Sequence, residues 1–193
     1  MTKQTILADN NRKPPIDPHF LYNTLDAINW MALDCKEYTI SRMLTSLAAT
    51  LRYTIHDSKE WILVQDEIEY LRKLIYLQQQ RFSYEFTCSI TAQERAKQIR
   101  IPRMMIQPVL ESVLDTAFPE KAGDIQICFQ TTEDSGEESL KIAIEINGLK
   151  PVGTEAVREI EERIEETYGT DTGCSVNVQT NARKIEIVIP LRK

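Results

Sequence analysis

An imidazole and a carboxamide four residues apart, His19 and Asn23, stand in the string Asp17-Pro18-His19-Phe20-Leu21-Tyr22-Asn23-Thr24-Leu25. On a helix that spacing puts both side chains on one face, one turn from each other. An exposed neutral imidazole has one unprotonated nitrogen and can attack phosphorus. An amide one turn away can orient that ring, or a water attacking the phosphorylated ring. Spacing alone favours a plainer reading, in which His19 is a polar residue near a helix start, because His/Asn pairs are common. The second histidine of the chain, His56, precedes Asp57 and reads as a solvated or capping residue. With two histidines in all, no Ser-His-Asp or Cys-His nucleophile arrangement is evident.

The elements that must position this pair are legible from capping and period. Asp17 can accept from free N–H groups at a helix start, and Pro18 is pre-set for the first turn. Leu21, Leu25, Ile28 and Ala32 then form one helical stripe, and Ile40, Met43, Leu44, Leu47, Ala48 and Leu51 form a second. The polar break Asp34-Cys35-Lys36-Glu37 between them makes an antiparallel helical hairpin. A lone hairpin leaves an apolar seam exposed, so pairing with a second copy as a dimeric four-helix bundle is expected.

Trp61 to Leu63 reads as a short extended piece and Gln65 to Phe82 as a third helix, with Ile68, Leu71, Ile75 and Phe82 inward. From there the period changes. Tyr84 to Ile90, Asp124 to Thr131, Leu140 to Ile146, Ser175 to Thr180 and Lys184 to Leu191 read as strands. Pro102 is expected to open a helix to about Ala117, and Glu155 to Tyr168 a charged helix stopped by Gly169. The fold class is therefore α+β. Residues 1–15 read as a tail or linker, 16–82 as the helical part, and 83–193 as a mixed α/β region.

Composition bounds the partners. The 193 residues carry 23 basic and 29 acidic side chains, a formal charge of −6 without a basic cluster, which argues against a nucleic-acid footprint. No polybasic run marks an anionic-membrane contact, and no apolar run is long enough to span a bilayer. The first 15 residues lack the apolar core of a signal peptide, so a cytoplasmic location is expected. Cys35, Cys88, Cys128 and Cys174 are too widely separated for paired zinc ligands; no metal site is expected, and the compartment reads as reducing.

Pro18-His19-Phe20-Leu21-Tyr22-Asn23-Thr24-Leu25 resembles the phosphoacceptor box of the LytS/YesM-type sensor histidine kinases, P-H-F-L-[YF]-N-T-L. Leu51-Arg52-Tyr53 resembles that family's L-R-Y, and Asp66-Glu67, Tyr70-Leu71 and Gln80-Arg81-Phe82 resemble motifs of its third helix. Ile101-Pro102 with Ile106-Gln107-Pro108-Val109-Leu110-Glu111 resembles the opening of its N box, I-P-x-x-x-L-Q-P-L-V-E-N-A. The likeness is good over roughly residues 16 to 118 and looser beyond. It implies a dimeric phosphoacceptor bundle followed by a GHKL, or Bergerat-like, α/β sandwich that binds ATP and Mg²⁺. It also implies phosphoryl transfer through His19 to an aspartate of a response regulator receiver domain, with Asn23 orienting the ring or a water. Family members carry N-terminal membrane-spanning sensing regions, so tethering to the inner membrane in a longer parent protein is expected.

The ATP-site motifs depart from the family pattern. Glu111 is kept, but Ser112 replaces the asparagine that helps hold Mg²⁺, and a hydroxyl is a poorer ligand at that reach. The family's D-N-G-x-G becomes Ile146-Asn147-Gly148-Leu149-Lys150. Isoleucine cannot accept from an adenine amine, a mismatch of about 1–3 kcal/mol. Only Leu149-Lys150-Pro151-Val152 stand where a lid and glycine cradle are usual. Glu111, Ser112, Asn147 and Gly148 are thus read as remnants of an ATP site, and no bound cofactor is expected. Three functions stay open: a pseudokinase or phosphotransfer protein, homodimeric or paired with an active kinase; an active autokinase; and an interaction module without phosphoryl transfer.

Overall fold

The computed structural model describes residues 17–55, 61–81, 86–117, 123–134, 137–148, 158, 161–162, 165, 175–178 and 183–191. The chain divides into two compact units, Met1–His56 and Asp57–Lys193.

The first unit is a helical hairpin of α1 (Pro18–Asp34) and α2 (Tyr38–Ile55). Asp17 caps α1 as its type dictates, its Oδ1 accepting from His19 N–H at 2.9 Å, with Pro18 in the first turn. The connection reverses through Lys36 at φ 61°, a left-handed position more often given to glycine. There Lys36 N–H donates to Leu33 O at 2.9 Å and Glu37 N–H to Ala32 O at 2.8 Å, satisfying carbonyls the helix end would orphan. Across the hairpin, Ser41 Oγ donates to Asn29 Oδ1 at 2.6 Å. Ala32 is buried, while Phe20, Trp30, Met31, Tyr38, Ile40 and Leu47 stay exposed.

The second unit opens with β1 (Trp61–Leu63) and α3 (Val64–Arg81), followed by β2 (Phe86–Ala92), α4 (Glu94–Lys97), β3 (Arg100–Pro102) and α5 (Gln107–Ala117). It continues with β4 (Gly123–Asp134), β5 (Glu137–Asn147), β6 (Ser175–Val178) and β7 (Lys184–Pro190). β1 and β3 form an antiparallel pair, and the other strands a five-stranded sheet ordered β2-β4-β5-β7-β6. β2 runs parallel to β4 and every other neighbour pair is antiparallel, so the sheet is mixed and the fold α+β.

Alternation gives this sheet two unlike faces. Ile125, Ile127 and Phe129, then Leu140, Ile142, Ile144 and Ile146, then Ile185, Ile187 and Ile189 all turn inward and are buried. Ile68, Leu71, Leu74 and Ile75 of α3 and Val109, Leu110, Val113 and Leu114 of α5 complete the core. The opposite face carries Lys141, Glu145, Lys184 and Glu186. Glu186 accepts from Lys141 at 2.9 Å and from Lys184 at 3.1 Å, and those two lysines hold its carboxyl below the usual range.

Two expectations change. The third helix lies in the second unit rather than with the hairpin, because its apolar row belongs to that unit's core. Pro102 ends β3 opposite Trp61 instead of opening a helix, and α5 begins at Gln107 with Pro108 in its first turn. Phe82, His56, Cys174 and residues 149–157 lie outside the described residues. Of the charged stretch 155–168, residues 158, 161, 162 and 165 are helical, and Arg158 pairs with Glu162 at 3.3 Å.

Candidate functional site

His19 stands in the first turn of α1 and is exposed, as is Asn23 one turn on. The Asp17 cap fixes the backbone beneath the imidazole, and Thr24 Oγ1 bonds back to Phe20 O at 2.7 Å. Behind them, the Arg52 guanidinium lies 5.4 Å from the centre of the Tyr22 ring, a cation–π contact that joins the end of α2 to the start of α1. The unit thus carries an imidazole and an amide at exposed positions one turn apart on a helix capped at its start.

In the second unit, Glu111 and Ser112 are half-buried on α5. Gln107 Nε2 donates to Glu111 Oε1 at 2.8 Å, and the buried Tyr70 hydroxyl on α3 donates to Gln107 Oε1 in a very short bond. Burial, then the charges of Glu67 and Glu111, push the Tyr70 phenol above its ordinary range, against a smaller opposing effect of Arg103. Glu67, fully buried, accepts from Met104 N–H at 3.2 Å and Ile106 N–H at 3.3 Å. Met104 sits at φ 56°, a strained value for a residue with a Cβ.

Ile146 is fully buried in the sheet's inner row, opposite Ile125, and its N–H donates to Arg183 O at 2.8 Å. Asn147 and Gly148 are exposed at the strand end. Thr87, Gln126 and Asn147 all hydrogen-bond Asp124 and hold its carboxyl below the usual range, the first two at 2.7 Å. Gly148 takes φ 74°, where a side chain would be strained.

Of the candidate residues, His19 and Asn23 lie one turn apart on α1, Glu111 and Ser112 are consecutive on α5, and Asn147 and Gly148 are consecutive at the end of β5. Glu67, Tyr70 and Gln107 were visible in sequence only as family motifs, and their link to Glu111 crosses from one helix to another. Among the described residues no cluster of three His, Cys, Asp or Glu side chains suits a metal ion. None of the described helices is long and apolar enough to cross a membrane. Cys35 is exposed, whereas Cys88 and Cys128 are half-buried, and burial with the nearby Asp124 charge pushes the Cys88 thiol up to about 12.

A family model described as Histidine kinase matches residues 11–86. Sensor histidine kinase YesM of Bacillus subtilis (strain 168) is 30% identical across 98% of this chain and 35% of its own length. Sensor protein LytS of the same organism is 25% identical across 70% of this chain and 23% of its own length. Sensor protein kinase HptS of Staphylococcus aureus (strain USA300) is 26% identical across 57% of this chain and 21% of its own. The chain therefore spans about a third or less of the length of these curated relatives. Among solved structures, Acinetobacter baumannii histidine kinase AdeS aligns over 96% of this chain and 89% of its own, with 14% identity and a TM-score of 0.45. The catalytic domain of histidine kinase ThkA aligns over 67% and 94%, with 13% identity and a TM-score of 0.42.

Proposed function

The chain belongs with the LytS/YesM-type sensor histidine kinases, and we propose that it works in two-component signalling as a phosphoacceptor whose own ATP site has decayed. The observation that carries this reading is the contrast between the exposed His19 and Asn23 pair and the fully buried Ile146. An adenine amine needs an acceptor, and Ile146 offers none, its side chain being committed to the core. Asn147 bonds Asp124 and Glu111 bonds Gln107, so both are engaged within the chain. With Ser112 at the metal position as well, these residues do not fit Mg-ATP.

The phosphoryl group then reaches His19 from outside. A ring nitrogen attacks phosphorus, the bond from phosphorus to the donor oxygen breaks, and the donor leaves as ADP from an active partner kinase or as the carboxylate of a regulator's aspartate. The receiver domain of a response regulator is the proposed partner. The exposed Phe20, Trp30, Met31, Ile40 and Leu47 support pairing of the hairpin with a second copy, or with an active kinase.

The test is incubation with labelled ATP, alone and then with an active relative or a phosphorylated regulator. Acid-labile label on His19 only in the second case, lost in His19→Gln, is the expected result. Label with ATP alone, or Mg-ATP binding in the micromolar range, would sink the degenerate-pocket reading in favour of an active autokinase. No label in either case leaves a pure interaction module.

A further inference from the structure

Glu67 and Tyr70, buried on α3, and the half-buried Gln107 and Glu111 of α5 form a group of polar side chains beside the apolar core. We propose that Tyr70 and Gln107 are positioning residues for Glu111, so that the third helix sets where the carboxylate of the candidate site points. The inference deepens the reading above by naming what holds Glu111, and it stands on hydrogen bonds rather than on nucleotide binding.

Donor and acceptor chemistry fixes the sense of the chain. An ionised carboxylate only accepts, so Gln107 must turn its NH₂ toward Glu111, as the 2.8 Å bond has it. The carbonyl of the same amide then faces Tyr70, whose hydroxyl has to donate. Reversing the amide would set its oxygen against the carboxylate. The acceptor-only carboxylate therefore sets the sense of the amide, and the phenol proton completes the chain by holding the amide oxygen that faces it. Burial of the phenol favours the protonated form that this arrangement needs.

Glu67 keeps the two helices in register. It lies three residues before Tyr70, on the same face of α3, and its two oxygens hold Met104 N–H and Ile106 N–H just ahead of α5. Ile106 O accepts from Leu110 N–H at 3.0 Å, so the clamp acts on the first turn of the helix that carries Glu111. Met104, whose N–H is one of the two groups held, sits at φ 56°.

The test follows the Glu111 side-chain carboxyl carbon by NMR in the full chain, assigned with Glu111→Gln. Tyr70→Phe keeps the ring and removes the proton. It is expected to move the Glu111 signal while the signals of the sheet residues stay in place. Gln107→Met should move it too, and adding Tyr70→Phe to Gln107→Met should then have no further effect. A Glu111 signal indifferent to Tyr70→Phe, or equally responsive in the Gln107→Met background, would overturn the proposal. Should Tyr70→Phe fail to fold, Gln107→Met alone decides, because the Glu111 carboxyl and the Tyr70 ring-carbon signals must move together. Movement of one without the other overturns it. Tight Mg-ATP binding would defeat the degenerate-pocket reading and leave this result as it stands.

Discussion

The guanidinium of Arg52 lies 5.4 Å from the centre of the Tyr22 ring, so the end of α2 braces the helix start that carries His19, three residues before Tyr22. At a partly wet site such a contact contributes about 0.5–1 kcal/mol. Arg52→Leu is expected to lower amide protection around Tyr22 by roughly two- to fivefold in hydrogen exchange. Protection in α3 should not change.

Ile146→Asp, which writes the family's aspartate back into this chain, is expected to damage the fold. The side chain is fully buried between apolar neighbours, so a carboxylate there would be an uncompensated charge costing about 3–5 kcal/mol. Urea unfolding measures the loss, and a variant that gained Mg-ATP binding at unchanged stability would contradict it.

How far the fold could be read from sequence depended on range. Asp17 and Pro18 fixed the start of α1 through local chemistry, and the apolar stripes of the hairpin follow the helical period without outside help. The strands β4, β5 and β7 were equally plain, since isoleucines recur at every second position in each. Pro102 misled because proline suits a first helical turn as well as the end of a short strand, and only pairing with Trp61 decides between them. α4, with four residues, is too short to show a period. The bond from Tyr70 to Gln107 joins residues 37 apart, and no local pattern marks it. The family motifs named both residues without saying that they touch.

Two backbone positions give opposite predictions. Lys36 adopts φ 61° at an exposed helix end, so Lys36→Gly should stabilise the chain by up to about 1 kcal/mol. Gly148 adopts φ 74°, so Gly148→Ala should destabilise it by about 1 kcal/mol. Thermal or urea unfolding of the two variants checks the signs.

Glu186 makes part of the stability depend on pH. Its carboxyl is held below the usual range by Lys141 and then Lys184, so the charged form favours the folded state. That contribution is complete above the ordinary glutamate pKa, about 4.3, and disappears as pH falls through the lower folded value. Glu186→Gln should cost about 1 kcal/mol at pH 7, allowing for solvent screening of the half-exposed lysines. The gap between variant and parent should close in urea titrations as the buffer is acidified below that range.

The parallel pairing of β2 with β4 also dictates an order of assembly. β4 and β5 meet as neighbours along the chain, from Asp134 and Glu137 outward, and can zip at the speed of a hairpin. Phe86 must instead find Gly123 across an intervening stretch that contains α4, β3 and α5. Closing so long a loop sacrifices chain entropy before any ladder bond repays it. The edge strand β2 therefore docks late, and until it does the backbone edge of β4 stays unpaired.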